Sequence, residues 1–140
     1  MNEKNLVVIV DDDKFIRYAM KRYFSRYEVE VQTLNNGFEV LLFCSYRVPD
    51  LIISDIRMPK LDGITLLKGL KNNLYTKDVP VIFMSAYPSD PIMEDAVKLG
   101  AKYFLVKPFP FEYLENVIRR ALPHIVGPES EEAKVGRAGS

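Results

Sequence analysis

The 140-residue chain has no excess of either charge, no second cysteine and no long apolar run, and each absence removes a class of function. Lysine plus arginine equals aspartate plus glutamate at 19 each, so no global field draws the protein to nucleic acid or to anionic lipid. Direct nucleic-acid binding by this segment is therefore not expected. Cys44 stands alone, without the partner that an internal disulfide or a thiolate metal site would need, which suits a reducing cytoplasm. Residues Met1 to Asn5 lead straight into five apolar residues stopped by three aspartates, so no signal peptide is read there. Nothing approaches the ~20 apolar residues that a membrane helix requires, and no internal repeat is found.

What remains is an ordinary globular composition, 48% hydrophobic and 27% charged, long enough for one domain to bury a core unaided by metals or disulfides. Five short apolar runs, Leu6–Val10, Val29–Thr33, Leu51–Ser54, Val79–Ser85 and Tyr103–Val106, are each too short for a helix and read as strands. Between them lie segments with helical spacing. In the first, Phe15, Ile16, Ala19, Met20, Tyr23 and Phe24 form an apolar stripe with Arg17, Lys21 and Arg22 opposite. Similar stripes occupy Phe38–Tyr46, Ile64–Leu70, Ile92–Leu99 and Phe111–Leu122. Five alternations of strand and helix predict an α/β fold around a parallel sheet. The first, third and fourth strands are apolar without interruption, as central strands covered on both faces must be, whereas Val29-Glu-Val-Gln-Thr33 alternates and suits an edge. Turn residues such as Asn35-Asn36-Gly37, Pro59 to Gly63 and Pro108 to Pro110 fall between these elements. The folded domain is expected over residues 1–123, and residues 124–140, which lose apolar periodicity, read as a mobile tail or linker.

In an open parallel sheet, reactive groups collect where the carboxyl ends of the strands meet a crevice. Here the strand ends carry Asp11-Asp12-Asp13, Asp55, Ser85-Ala86 and Lys107-Pro108. Carboxylates gathered at one crevice repel one another and raise each other's pKa unless a cation neutralises them, and a hard divalent ion with oxygen ligands is the natural choice. Aspartates after a strand also cap helices, and one of the three is expected to do so. Asp55 is a possible nucleophile toward phosphorus or a turn-former before Met58-Pro59. Ser85 could donate to a phosphoryl oxygen or make a local turn bond. Lys107 offers a point charge for a phosphate, and an X-Pro bond after it can be cis. Each residue alone has a bland reading; the coincidence of four strand ends favours phosphoryl chemistry.

These residues resemble the receiver domains of two-component response regulators over about Asn5 to Leu122. Val-Val-Ile-Val-Asp-Asp-Asp is similar to that family's first strand and acidic pair, on Asp11 and Asp12. Leu-Ile-Ile-Ser-Asp-Ile-Arg-Met-Pro-Lys-Leu-Asp-Gly resembles its phosphoacceptor strand and loop, and Phe-Met-Ser-Ala and Phe-Leu-Val-Lys-Pro-Phe its serine and lysine signatures. The resemblance implies a flavodoxin-like (βα)5 fold with strand order 2-1-3-4-5. It implies Asp55 as phosphoacceptor, with Ser85 and Lys107 contacting the phosphoryl group. Mg2+ would be held by Asp12, Asp55 and the backbone carbonyl of Arg57, with Asp11 on a ligand water. Ser85 and Phe104 would be switch residues, and Phe104 lacks the hydroxyl that some versions of the switch need; plain core packing is its other reading. Large side chains at Arg57 and Tyr87 are expected to border the approach of hydrolytic water and to slow loss of the phosphate. The implied partner is a histidine kinase or histidine phosphotransfer protein. The face of the fourth helix, fifth strand and fifth helix would pass the signal on and offer a homodimer contact. Self-catalysed phosphotransfer and slow autodephosphorylation would be the only chemistry. Two rival readings are an aspartate-nucleophile phosphohydrolase acting through Asp11-Asp12-Asp13 and a receiver-like module that binds without phosphorylation. The loop after Asp55 argues against the first, and the full acceptor set against the second. No output segment is read after Leu122, so the expectation is a stand-alone receiver or one cut from a longer chain.

Overall fold

The computed structural model describes residues 4–128. Ten elements alternate: β1 (Asn5–Val10), α1 (Lys14–Phe24), β2 (Val29–Leu34), α2 (Gly37–Cys44), β3 (Leu51–Asp55), α3 (Gly63–Lys71), β4 (Val81–Ser85), α4 (Pro91–Lys98), β5 (Tyr103–Val106) and α5 (Phe111–Ala121). The strands form one sheet in the order β2-β1-β3-β4-β5, and every neighbouring pair is parallel. The chain first steps from β1 to β2, then back across β1 to β3 and outward to β5. Because strand–helix–strand crossovers are right-handed, this reversal sends α1 to one face and α2, α3 and α4 to the other.

Side chains alternate across the sheet and build a core on each face. Val7, Ile9, Leu51, Ile53, Ile82, Met84 and Leu105 meet α1 and α5 through Met20, Tyr23, Phe24, Leu114, Val117 and Ile118. Leu6, Val8, Val10, Ile52, Val81 and Phe83 meet α2, α3 and α4 through Val40, Cys44, Leu66, Leu67, Leu70 and Ala96. Each such aliphatic side chain stabilises the fold by roughly 1.5–3 kcal/mol when fully buried. The strands read as central are buried almost throughout, while β2 at the edge is only half-buried.

Two expectations need adjusting. The apolar run starts the fourth strand at Val79, yet β4 begins at Val81. Pro80 has no N–H to pair, and the Val79 N–H closes a turn on the Thr76 carbonyl at 3.1 Å instead. The apolar stripe of α1 is narrower than its spacing suggests: Ile16, Met20, Tyr23 and Phe24 turn inward, but Phe15 and Ala19 are exposed. After α5 the chain returns toward the start of β2, where the Glu28 N–H donates to the Val126 carbonyl at 2.8 Å. Of the predicted tail, residues 129–140 lie outside the described residues.

Candidate phosphoacceptor site

The winding reverses between β1 and β3, so their carboxyl ends flank the crevice where such sheets bind ligands. Asp11 follows β1 and is buried; its carboxylate accepts from the Asp13 N–H at 2.9 Å and from Lys107 Nζ at 2.8 Å. Its carbonyl is held from α1 by Arg17 Nη1 at 2.7 Å. Asp13 is the capping member of the trio, its side chain accepting from the Phe15 N–H at 2.8 Å. Asp12, between them, is exposed toward the crevice mouth.

Asp55 closes β3. The loop after it is fixed by the Ile56 N–H donating to the Met84 carbonyl at 2.9 Å and by the Gly63 N–H donating to the Ile56 carbonyl at 2.8 Å. Carboxylate oxygens of Asp11, Asp12 and Asp55 all lie within 4.8 Å of one another, the only such metal-competent group among the described residues. Burial pushes the Asp55 carboxyl up to about 6, Lys107 opposing the rise and Asp11 and Asp12 adding to it. Hard oxygen donors this close, on a carboxyl whose charge is disfavoured, fit a divalent cation.

Lys107 leaves β5 with its N–H donating to the Ser85 carbonyl at 2.7 Å, which ties the two strand ends together. The Lys107-Pro108 peptide bond is cis. The ammonium reaches 3.4 Å from Asp55 Oδ2 while bonded to Asp11. Burial works against that charge, but the hydrogen bond and charge of Asp11, with Asp55, outweigh it and hold the lysine above its usual pKa.

Ser85, Ala86, Tyr87, Arg57, Asp55 and Lys107 line one small pocket at the crevice. The Ser85 hydroxyl is engaged by the loop that leads into α4. It accepts from the Tyr87 N–H at 3.1 Å, and it can donate its single proton to the Tyr87 carbonyl at 3.2 Å or to Asp90 Oδ2 at 3.3 Å. Arg57 is likewise committed: Nε donates to Asp90 Oδ2 at 2.7 Å and Nη2 to Asp90 Oδ1 at 2.6 Å. Tyr87 is exposed. Phe104 in β5 is partly buried, its ring 6.3 Å from that of Phe83, and lies beside Met93 and Val97 of α4. Asp11, Asp12, Asp55, Arg57, Ser85, Tyr87 and Lys107 thus meet at the crevice, and Phe104 sits behind it on the α4 side.

Sequence reasoning did not single out Asp90. Its own position was legible, because an aspartate before a proline at the start of an apolar stripe marks a helix N-cap, and Asp90 caps α4 by accepting from the Ile92 N–H at 3.2 Å. Its pairing with Arg57, 33 residues away, was not.

The chain is also similar to known proteins. Residues 7–119 match the family model described as Response regulator receiver domain. The chain is 35% identical over 122 residues to the DNA-binding transcriptional regulator NtrC of Salmonella typhimurium, covering 87% of this chain and 26% of that protein. It thus spans about a quarter of the length of the curated relatives it matches. Among solved structures, the chemotaxis response regulator CheY4 of Vibrio cholerae superposes with a TM-score of 0.79 at 29% identity, over 86% of this chain and all of that one. The apo receiver domain of Nitrogen Regulatory Protein C gives a TM-score of 0.74 at 36% identity, over 86% of this chain and 95% of that one. With the parallel 2-1-3-4-5 sheet, the acidic crevice and a family match over most of its length, the chain belongs to the receiver domains of two-component response regulators.

Proposed function

We propose that Asp55 accepts a phosphoryl group from the phosphohistidine of a histidine kinase or histidine phosphotransfer protein. The observation that carries this reading is the convergence of Lys107 Nζ on both Asp11 and Asp55, 2.8 and 3.4 Å away, beside three carboxylates within 4.8 Å. An Asp55 oxygen attacks phosphorus in line, the P–N bond breaks, and its electron pair leaves with the imidazole. Asp55 reacts as the carboxylate, so no proton need be removed from it. Lys107, held at the crevice by Asp11, is placed to neutralise a phosphoryl oxygen as the group arrives. Asp12, Asp55 and the Arg57 carbonyl would hold Mg2+, with Asp11 on a ligand water. When bound, that ion supplies positive charge to the carboxylates and to the transferring oxygens.

The product is an acyl phosphate, and the domain at residues 1–123 acts as a cytoplasmic signalling module rather than a turnover enzyme. Ser85 and Phe104 relay the event to the face of α4, β5 and α5, which contacts a downstream partner or a second copy. The phosphohydrolase reading finds less support: Asp11 is buried against Lys107 and Asp13 is committed to capping α1.

The test is incubation with magnesium and acetyl phosphate, followed by intact mass. The unmutated protein should gain one phosphoryl group, and the gain should vanish with chelator or in Asp55→Asn. No gain, or an equal gain in the variant, contradicts the proposal.

A further inference from the structure

The family resemblance implies that Ser85 contacts the phosphoryl group, yet its hydroxyl is bonded to the loop that leads into α4. The acceptor there, Asp90, is itself buried, at 4% exposure. A buried carboxylate persists when its oxygens are occupied, and both oxygens of Asp90 are. Oδ1 accepts from the Ile92 N–H at 3.2 Å and from Arg57 Nη2 at 2.6 Å, while Oδ2 accepts from Arg57 Nε at 2.7 Å and Ser85 Oγ at 3.3 Å. The Arg57 fork thus orients the carboxylate, and the orientation presents Oδ2 to the serine. The Arg57 hydrogen bond also holds Asp90 below the usual carboxylate pKa despite its burial, so the acceptor is charged at neutral pH.

We propose that Asp90, oriented by Arg57, is a positioning residue for Ser85: it holds the hydroxyl off the acceptor carboxylate and sets how readily a phosphoryl group recruits it. The inference rests on the phosphoacceptor reading. A phosphoryl group on Asp55 competes with Asp90 and the Tyr87 carbonyl for the one Ser85 proton. When the phosphoryl group wins, the N-cap of α4 loses a bond to the end of β4. The Arg57–Asp90 fork in turn links the loop after Asp55 to the start of α4, so both sides of the crevice report to the same carboxylate. The arrangement opposes phosphorylation in the resting state and couples it directly to α4.

The test measures the affinity of fluoroberyllate, a tetrahedral phosphoryl mimic, by calorimetry in the presence of magnesium. Asp90→Ser keeps an N-cap of equal quality for α4 but is too short to hold both Arg57 and Ser85. Removing one hydrogen-bond acceptor of this kind should tighten binding about fivefold. Asp90→Asn, which places a donor where Ser85 now finds an acceptor, should shift affinity in the same direction and covers the case in which Asp90→Ser fails to fold. The decisive comparison is the Ser85→Ala background. There the Asp90→Ser gain should disappear, because a positioning residue acts only through what it positions, whereas general loosening of α4 would persist. Unchanged or weaker binding in the Asp90 variants, or an equal gain without Ser85, overturns the inference while leaving the phosphoacceptor reading intact. Absence of binding by the unmutated protein, or equal binding by Asp55→Asn, overturns both.

Discussion

Asp55 carries a charge that its surroundings resist, and that resistance is measurable without any phosphodonor. Burial and two neighbouring aspartates lift its carboxyl from 3.8 to about 6, despite Lys107. The folded protein therefore holds this proton more tightly than the unfolded chain does. Asp55's favourable contribution is present below the unfolded value and is lost as pH rises through about 6, so at pH 7 the ionised group opposes folding. In metal-free buffer at pH 7, Asp55→Asn should stabilise the protein by on the order of 1–3 kcal/mol, about 5 °C in Tm. The gain should fade as pH falls toward 4. A variant less stable than the unmutated protein at pH 7 would show that the carboxylate is satisfied as it stands.

At the scale of elements, the loop between β3 and α3 depends on a residue with no side chain. A Cβ at Gly63 would come within 2.8 Å of the Phe83 ring and 2.9 Å of the Ile56 carbonyl oxygen. Phe83 is fully buried and Ile56 contributes backbone, so neither yields easily. Gly63→Ala should cost roughly 1–3 kcal/mol in denaturant unfolding. Gly69→Ala is the contrast, because its Cβ would meet only the methyl end of the half-buried Leu41 side chain, at 2.9 Å, and alanine favours the helix interior. Its loss should be clearly smaller. Equal losses at both glycines would place the strain elsewhere.

The elements themselves were legible because burial on both faces leaves an uninterrupted apolar run, as in Leu51-Ile-Ile53, and edge exposure leaves an alternating one, as in β2. Their limits were less so. Pro80 moves the start of β4, and periodicity shows that α1 has an apolar face without showing that Phe15 lies beyond the buried strip. In the site, Asp11, Asp55, Ser85 and Lys107 could be found because each ends a strand. The direction in which Ser85 points could not, since it depends on Asp90 and on an arginine from another loop.

For the molecule as a whole, one topological event organises the rest. The reversal between β1 and β3 separates the two helical layers, opens the crevice, and brings residue 11, residue 55 and residue 107 together from across the chain. Hydrogen bonds between strand ends, such as the Lys107 N–H to the Ser85 carbonyl, keep that crevice in register with the core below it. The phosphoryl chemistry proposed for Asp55 would thus depend on the fold's geometry rather than on any single loop. The direct measurement is to phosphorylate the unmutated protein with acetyl phosphate and magnesium, reduce the acyl phosphate with borohydride, and map the resulting homoserine by peptide mass spectrometry. The account predicts homoserine at position 55 alone. Homoserine at position 11, 12 or 13, with none at position 55, would contradict it.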